Sequence, residues 1–331
     1  MKTRLLSKKQ IEGMLTMKEI VDICDKTFAD EAKGATHCPT KVHTNFIAED
    51  GEIYGGTNSM PAFIGWQGIS GCKYIGGSNE RRAKGRPYIY ACQFLLDPRE
   101  GEFLAVMDAE YITQLRTGAQ AGVAYRHIKG EGNKIRMGLY GCGSQGYTQV
   151  LAMAAVAEIT ELRLYDVFKS AAENLAAKVK DVVKGEIIIC DDPKDAADAD
   201  VITLVTVAES PVVKREWVKP GTVIFPLGTY QEIDHDTIFA ADKVVVDHIG
   251  QTMGRGCLKN VVAEGKFSEK DLYSTIGELA AGIKTVGDTS KEIVICVAIG
   301  TGMMDIAVGY EFYKKACEQN VGSFFDFVTE E

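Results

Sequence analysis

From residue 134 onward the chain alternates short apolar runs with segments of helical spacing. Ile135–Tyr140 is mostly apolar and ends in a glycine turn, after which GYTQVLAMAAVAEI carries small and apolar residues as a packed helix does. ELRLYDV is a second extended run, SAAENLAAKVKDVV a second helix and EIIIC a third strand. DAADADVITLVT supplies a short helix and a fourth strand, and WVKPGTVIFPLG and KVVVDH read as two more. Strands separated by helices predict a parallel sheet covered on both faces.

The first 128 residues differ in grain. MKEIVDICDKTFADEA reads as a helix, followed by the extended pieces TKVHTNFIAED, EIYGGTNSM, GISGCKYIGG, YIYACQFLLD and EFLAVMD. Consecutive strands with polar turns predict an antiparallel or mixed sheet. AEYITQLRTGAQAGVAYRHI is an amphipathic helix leading into the alternating part, and MMDIAVGYEFYKKACEQ is a last helix expected to pack back on the first domain.

At 331 residues the chain suits two domains. Its hydrophobic fraction of 46% and charged fraction of 25% are those of a soluble globular protein. A net charge of −9 gives no support to a nucleic-acid or anionic-membrane partner. The opening MKTRLLSKKQIEGML lacks the apolar stretch of a signal peptide, and no apolar run approaches a membrane span, so a cytoplasmic location is expected. Nine cysteines are scattered without a C-x-x-C pair, and the five histidines add no ligand spacing. Free thiols in a reducing compartment and no metal are the expectation.

The glycine turn carries the first chemistry. Gly141, Gly143 and Gly146 have the dinucleotide spacing G-x-G-x-x-G, for a tight turn, a close backbone approach to pyrophosphate and helix–sheet packing respectively. The helix N-terminus aims free N–H groups at the phosphates. The turn lies between a strand and a helix, and a second strand ends in Asp166, about twenty residues on, where an acid accepts from the ribose hydroxyls. Asp166 favours NAD over NADP, a preference that nearby Lys169 softens. The expected fold is α/β, a Rossmann-type doubly wound parallel sheet (129–303, NAD-binding) inserted in an α+β substrate-binding and dimerisation domain formed by both chain ends (1–128 plus 304–331).

A redox cofactor needs a substrate clamp. Lys73 in GCKYIGG, Arg116 in QLRTGAQ and Lys41 in PTKVHTNF are cations in otherwise apolar or small-residue settings, with His43 on the face of Lys41. Singly, each suits an exposed charge or an ion pair. A pocket gathering several implies an anionic ligand.

GCKYIGG with NERRAKG, AVMDAEYITQLRTGAQAG, GLYGCGSQG, WVKPGTVIFPLG and GTGMMDIAV together resemble the ornithine cyclodeaminase/mu-crystallin family along almost the whole chain. The resemblance implies a domain of both chain ends that binds substrate and dimerises through its sheet, and an inserted Rossmann domain. It implies that Lys73 and Arg116 hold the carboxylate of an amino or imino acid beside the nicotinamide, with Lys41 where most relatives carry arginine. Ser144 and Gln145 of the glycine turn, Thr117 of the Arg-Thr pair, and Thr206, Leu227 and Gly228 after later strands fall to cofactor binding.

Departures from the family pattern narrow the activity. Tyr230 stands where ornithine-cyclising relatives place an aspartate for the distal amine, with Glu232 the nearest carboxylate. Asn58 replaces a glutamate, and Val297-Ala298 a Lys-Ser pair. The expected function is therefore hydride transfer at the Cα–N bond of a small 2-amino or 2-imino acid, with Lys73 as clamp and acid/base and His43 as alternate proton carrier. Two other readings stay open. One is an ornithine-type cyclodeaminase, with Glu232 swinging in for the missing aspartate. The other is an NAD-containing binding protein of mu-crystallin type, its pocket lined by Tyr54, Tyr74, Tyr88, Tyr90 and Tyr230.

Overall fold

The computed structural model describes residues 2–327. They form two compact units, Met1–Arg116 with Thr301–Glu331, and Thr117–Gly300. The first division falls inside a helix, not after residue 128, and the second at 300/301, not 303/304. A helical pattern alone carries no sign of where a helix changes neighbours.

The first unit is built on a seven-stranded sheet: β1 (Thr3–Leu6), β2 (Val42–Ile47), β3 (Ile53–Ile64), β4 (Ile69–Ser78), β5 (Ile89–Leu96), β6 (Phe103–Asp108) and β15 (Ser323–Phe325), in the order β15-β1-β6-β5-β4-β3-β2. β2 to β6 form an antiparallel meander, whereas β1 joins β6 in parallel. The two short strands β1 and β15 are additions that the apolar pattern of the termini did not announce. Two rows cross this sheet on opposite faces. Met60, Lys73, Gln93 and Met107 stand in register on one, and Val42, Ser59, Tyr74 and Cys92 on the other.

Helix α1 (Met17–Ala32) starts at Thr16, whose hydroxyl accepts from the Glu19 amide while the Glu19 carboxylate accepts from the Thr16 amide. Helix α2 (Glu110–Lys129) passes from one unit into the other. The second unit adds β7 (Lys134–Tyr140), β8 (Glu158–Tyr165), β9 (Glu186–Ile189), β10 (Val201–Leu204), β11 (Val223–Pro226), β12 (Lys243–Val246), β13 (Ser274–Thr275) and β14 (Val294–Val297). All pair in parallel, in the order β13-β12-β14-β11-β10-β7-β8-β9. β7, β10, β11 and β14 are almost wholly apolar and buried on both faces, which is the composition a covered parallel sheet requires. Helices α3 (Ser144–Val156) and α4 (Lys169–Val179) connect β7 to β8 and β8 to β9. This is the Rossmann-like α/β architecture expected from the alternating pattern. The strand order reverses between β7 and β10, and open sheets of this kind bind ligands at such a switch point, beyond the C-terminal strand ends.

The last helix, α5 (Gly302–Glu318), lies close on β3, β4 and β5 of the first unit. A side chain at Gly302 would meet the Met60 carbonyl at 2.6 Å, and Gly71 of β4 leaves room for Ile306. Close approach matters below, because it delivers Asp305 to the sheet.

Gly138 in β7 passes so near the Ala196 carbonyl oxygen that a Cβ would overlap it. Gly138→Ala is expected to cost about 1–3 kcal/mol of stability, as overpacking does, read as a lowered urea midpoint. Gly76→Ala, with nothing within 4 Å of the new methyl, leaves the midpoint in place.

Candidate functional site

Alternation along β4 buries Ile69, Gly71 and Lys73 while turning Ser70, Cys72 and Tyr74 to the other face. Lys73 is 0% exposed. Its Nζ donates to Asp305 Oδ2 at 2.7 Å and to Thr113 Oγ1 at 3.2 Å. Arg116 Nε donates to the other carboxylate oxygen of Asp305 at 2.9 Å. Two cations thus share one fully buried carboxylate. Burial is the main cause that pulls Lys73 down to about 7, with Arg116 and Lys41 adding to it and Asp305 opposing. Burial pushes Asp305 up, yet Arg116 and Lys73 outweigh it and hold its carboxyl below the ordinary range. Asp305 remains an anion and Lys73 can gain or lose its proton near neutrality.

Lys41 lies just ahead of β2 and is near enough to Lys73 to depress its proton affinity. His43 is exposed, with Nδ1 3.1 Å from Asn58 Oδ1 and Nε2 2.8 Å from Asn45 Oδ1. Register puts His43 opposite Asn58 and Asn58 opposite Ile75, hence on the face that carries Lys73. Tyr74 and Tyr90 stand on the opposite face, so they do not line a pocket around Lys73. Tyr88 fills the space beside Gly77.

The glycine turn of the second unit is formed as its spacing implies. Gly141 has φ +92°, open to glycine, and a Cβ at Gly146 would overlap the Gly141 carbonyl oxygen. Gly143 caps α3 in extended conformation, with nothing within 4 Å of a Cβ. Ser144 is exposed, and Gln145 keeps a buried Oε1 that has no protein partner among the described residues. Asp166 Oδ2 accepts from the Cys142 amide at 2.7 Å and Oδ1 from the Phe168 amide at 2.9 Å. Beside the turn lies a cavity of about 330 Å³ lined by Gly141, Gly143, Asp166, Phe168, Thr206 and Val207, among others. Its apolar side chains Val167, Phe168 and Val207 are 71–80% exposed. A bare apolar cleft beside a glycine turn and a carboxylate fits a dinucleotide.

Thr117 lends its carbonyl to Gln149 Nε2 at 3.3 Å, beneath the turn. Glu232 is fully buried and accepts from the Thr206 amide at 2.6 Å, the Thr206 hydroxyl at 2.8 Å and the Gly228 amide at 2.7 Å. Burial raises its carboxyl and the three donors pull it back. It ties the loops after β10 and β11 together, and the Leu227 amide adds a bond to the Leu204 carbonyl at 2.9 Å. Glu232 is therefore not a mobile carboxylate, and Tyr230, 47% exposed, has no acid in its place. Two further acids escaped the sequence reading. Asp305 was visible only as a lone acid in the apolar run Met303–Val308. Asp247, buried after β12, accepts from the Gly300 amide at 2.6 Å and from Thr252 Oγ1 at 3.2 Å.

Among the described residues no helix is long and apolar enough to cross a membrane. None of their His, Cys, Asp and Glu side chains group to hold a metal.

The model of the ornithine cyclodeaminase/mu-crystallin family matches residues 1–320. The alanine dehydrogenase of Archaeoglobus fulgidus is 33% identical over 331 residues, 99% of each chain. A solved archaeal alanine dehydrogenase dimer with bound NAD superposes with a TM-score of 0.91 at 33% identity, over 99% of this chain and 100% of that one. The Δ1-pyrroline-2-carboxylate reductase of Thermococcus litoralis, solved with NADH and L-proline, follows at TM-score 0.88 and 28% identity, covering 97% and 99%. With its glycine turn, its buried cation pair and its whole length accounted for, the chain belongs to the ornithine cyclodeaminase/mu-crystallin family.

Proposed function

We propose that the chain is an NAD-dependent oxidoreductase that transfers hydride at the Cα–N bond of a small 2-amino or 2-imino acid. The observation that carries this reading is the buried Lys73–Asp305–Arg116 cluster, in which two cations meet on one carboxylate. A substrate carboxylate is the ligand such a gathering of cations suits, and Arg116 and Lys41 join Lys73 in gripping it. Relatives whose names and structures specify alanine dehydrogenase, NAD, NADH and L-proline support the same chemistry.

NAD, when bound, supplies the two-electron acceptor or donor for Cα. Gly141, Gly143 and Gly146 with the N-terminus of α3 are the residues to hold its pyrophosphate, and Asp166 its ribose. Lys73 holds or releases a proton at Nζ for the nitrogen of the substrate, a task matched to a group that titrates near 7. Asp305 keeps Nζ in place. Thr206 and Gly228, fixed by Glu232, present the loops that follow β10 and β11.

The second-row apolar side chains Val42, Tyr74 and Tyr90, 54–66% exposed on the face opposite Lys73, favour a homodimer through this sheet. The archaeal relative is a dimer in its solved structure.

The reading is tested on purified protein with NAD+ and amino acids supplied one at a time, recording NADH and ammonia together. NADH rising in step with one small neutral amino acid, and none with ornithine, is expected. Proline and ammonia from ornithine without accumulating NADH would instead establish a cyclodeaminase, and cofactor binding without turnover in either direction a binding protein.

Two variants probe the glycine turn and the cation cluster separately. Gly143→Ala folds with unchanged stability, since its Cβ meets nothing, but NADH binding measured by fluorescence weakens by about tenfold or more as the methyl intrudes on the pyrophosphate path. Lys73→Met keeps NADH binding and loses roughly 10²–10⁴ in kcat/KM, the range of a lost acid–base group.

In the reductive direction, kcat/KM is flat below about 7 and falls with rising pH above it. The charged amine is the form that both grips the carboxylate and carries the proton. A profile rising through this range would assign the proton to another group.

A further inference from the structure

Lys169 opens α4, three residues after the ribose-side acid Asp166. A lysine there is placed to meet a phosphate on the adenosine ribose, yet in this chain it is engaged elsewhere. Its Nζ donates to Asp191 Oδ1 at 2.8 Å. Asp191 follows β9, the parallel neighbour of β8, so the two acids Asp166 and Asp191 stand beyond adjacent strand ends. The next residue, Asp192, is committed to capping the short helix Pro193–Ala196 through the Lys194 amide at 2.8 Å, which leaves Asp191 to face Lys169. Asp166 gives one oxygen each to the Cys142 and Phe168 amides and cannot turn away from the cleft without releasing both.

We propose that Asp191 is a specificity-determining residue: it holds Lys169 on its own carboxylate, so that the cleft takes a dinucleotide with an unphosphorylated ribose and refuses a 2′-phosphate. The inference rests on the dinucleotide reading above. A ribose phosphate must find a cation or meet uncompensated acids. The one lysine near Asp166 in sequence is neutralised by its partner. Lys169 and Asp191 are 59% and 81% exposed in their side chains, so their pairing contributes little to folding, and removing it is a clean probe.

The test is a binding comparison that needs no substrate. NADH and NADPH are titrated by fluorescence against wild type, Asp191→Asn, Lys169→Ala and the double variant at low ionic strength. Asp191→Asn is expected to lower the Kd ratio of NADPH to NADH about fivefold, the size of one unit-charge interaction at close range in water, with the Kd for NADH within about twofold. The double variant returns most of that gain, because the freed lysine is what receives the phosphate. A ratio unchanged in Asp191→Asn overturns the proposal, as does a gain that survives intact without Lys169. Wild-type protein that binds neither nucleotide would overturn the dinucleotide reading itself.

Discussion

The carboxylate of Asp305, buried and shared by Lys73 and Arg116, is the constraint that the first unit is arranged around. A lysine buried on the inner face of a sheet is costly unless an anion lies within hydrogen-bond reach. The anion comes from α5, and the helix must lie almost on the strands to deliver it. Gly302 at its first turn and Gly71 on β4 remove the side chains that would hold it off. The small residues of the last helix and the charge of the central strand are one requirement seen from two sides.

The second unit uses a buried carboxylate differently. Glu232 accepts three hydrogen bonds from Thr206 and Gly228 and so fixes two loops beyond the C-terminal ends of β10 and β11. Asp247 does the same for the segment at Gly300 after β14. Backbone N–H groups at strand ends have no ladder partner, and an acid side chain that satisfies two or three of them sets the loop conformation. Rigid loops around the glycine turn keep the apolar cleft of Val167, Phe168 and Val207 open. Such a cleft persists in an aqueous protein only when the framework beneath it cannot collapse to cover it.

Elements whose signal is periodic or steric were legible from the chain. The strand–helix alternation from β7 to β12 and the turn at Gly141–Gly146 follow from apolar spacing and from glycines that structure and ligand both require. Lys73 stood out because a cation in an apolar strand is rare. Asp305 did not, because a single acid in an apolar helix reads the same whether it faces solvent or the one lysine it must neutralise, and only tertiary placement distinguishes them. The same blindness affected Glu232, which looked like a side chain with freedom to move and is instead held by three hydrogen bonds. β1 and β15 were missed for another reason. Their residues lack a long alternating run, and they become strands by adding to an edge that the meander already provides.

Charge and hydrogen bonding together decide which ligands this arrangement can hold. In the proposed function the cluster at Lys73 takes the substrate carboxylate, with the charge of Lys41 near enough to be felt at Lys73. A second ammonium on the same ligand would add another positive charge to be offset. It would need an acid of its own, and Asn58, on the sheet face that carries Lys73, is neutral. Recruiting Glu232 would release the amides of Thr206 and Gly228, each unsatisfied buried group costing about 1–3 kcal/mol, and would loosen the loops at the same time. Glu232 is therefore committed to its own loops, whereas a small neutral side chain asks for no second acid.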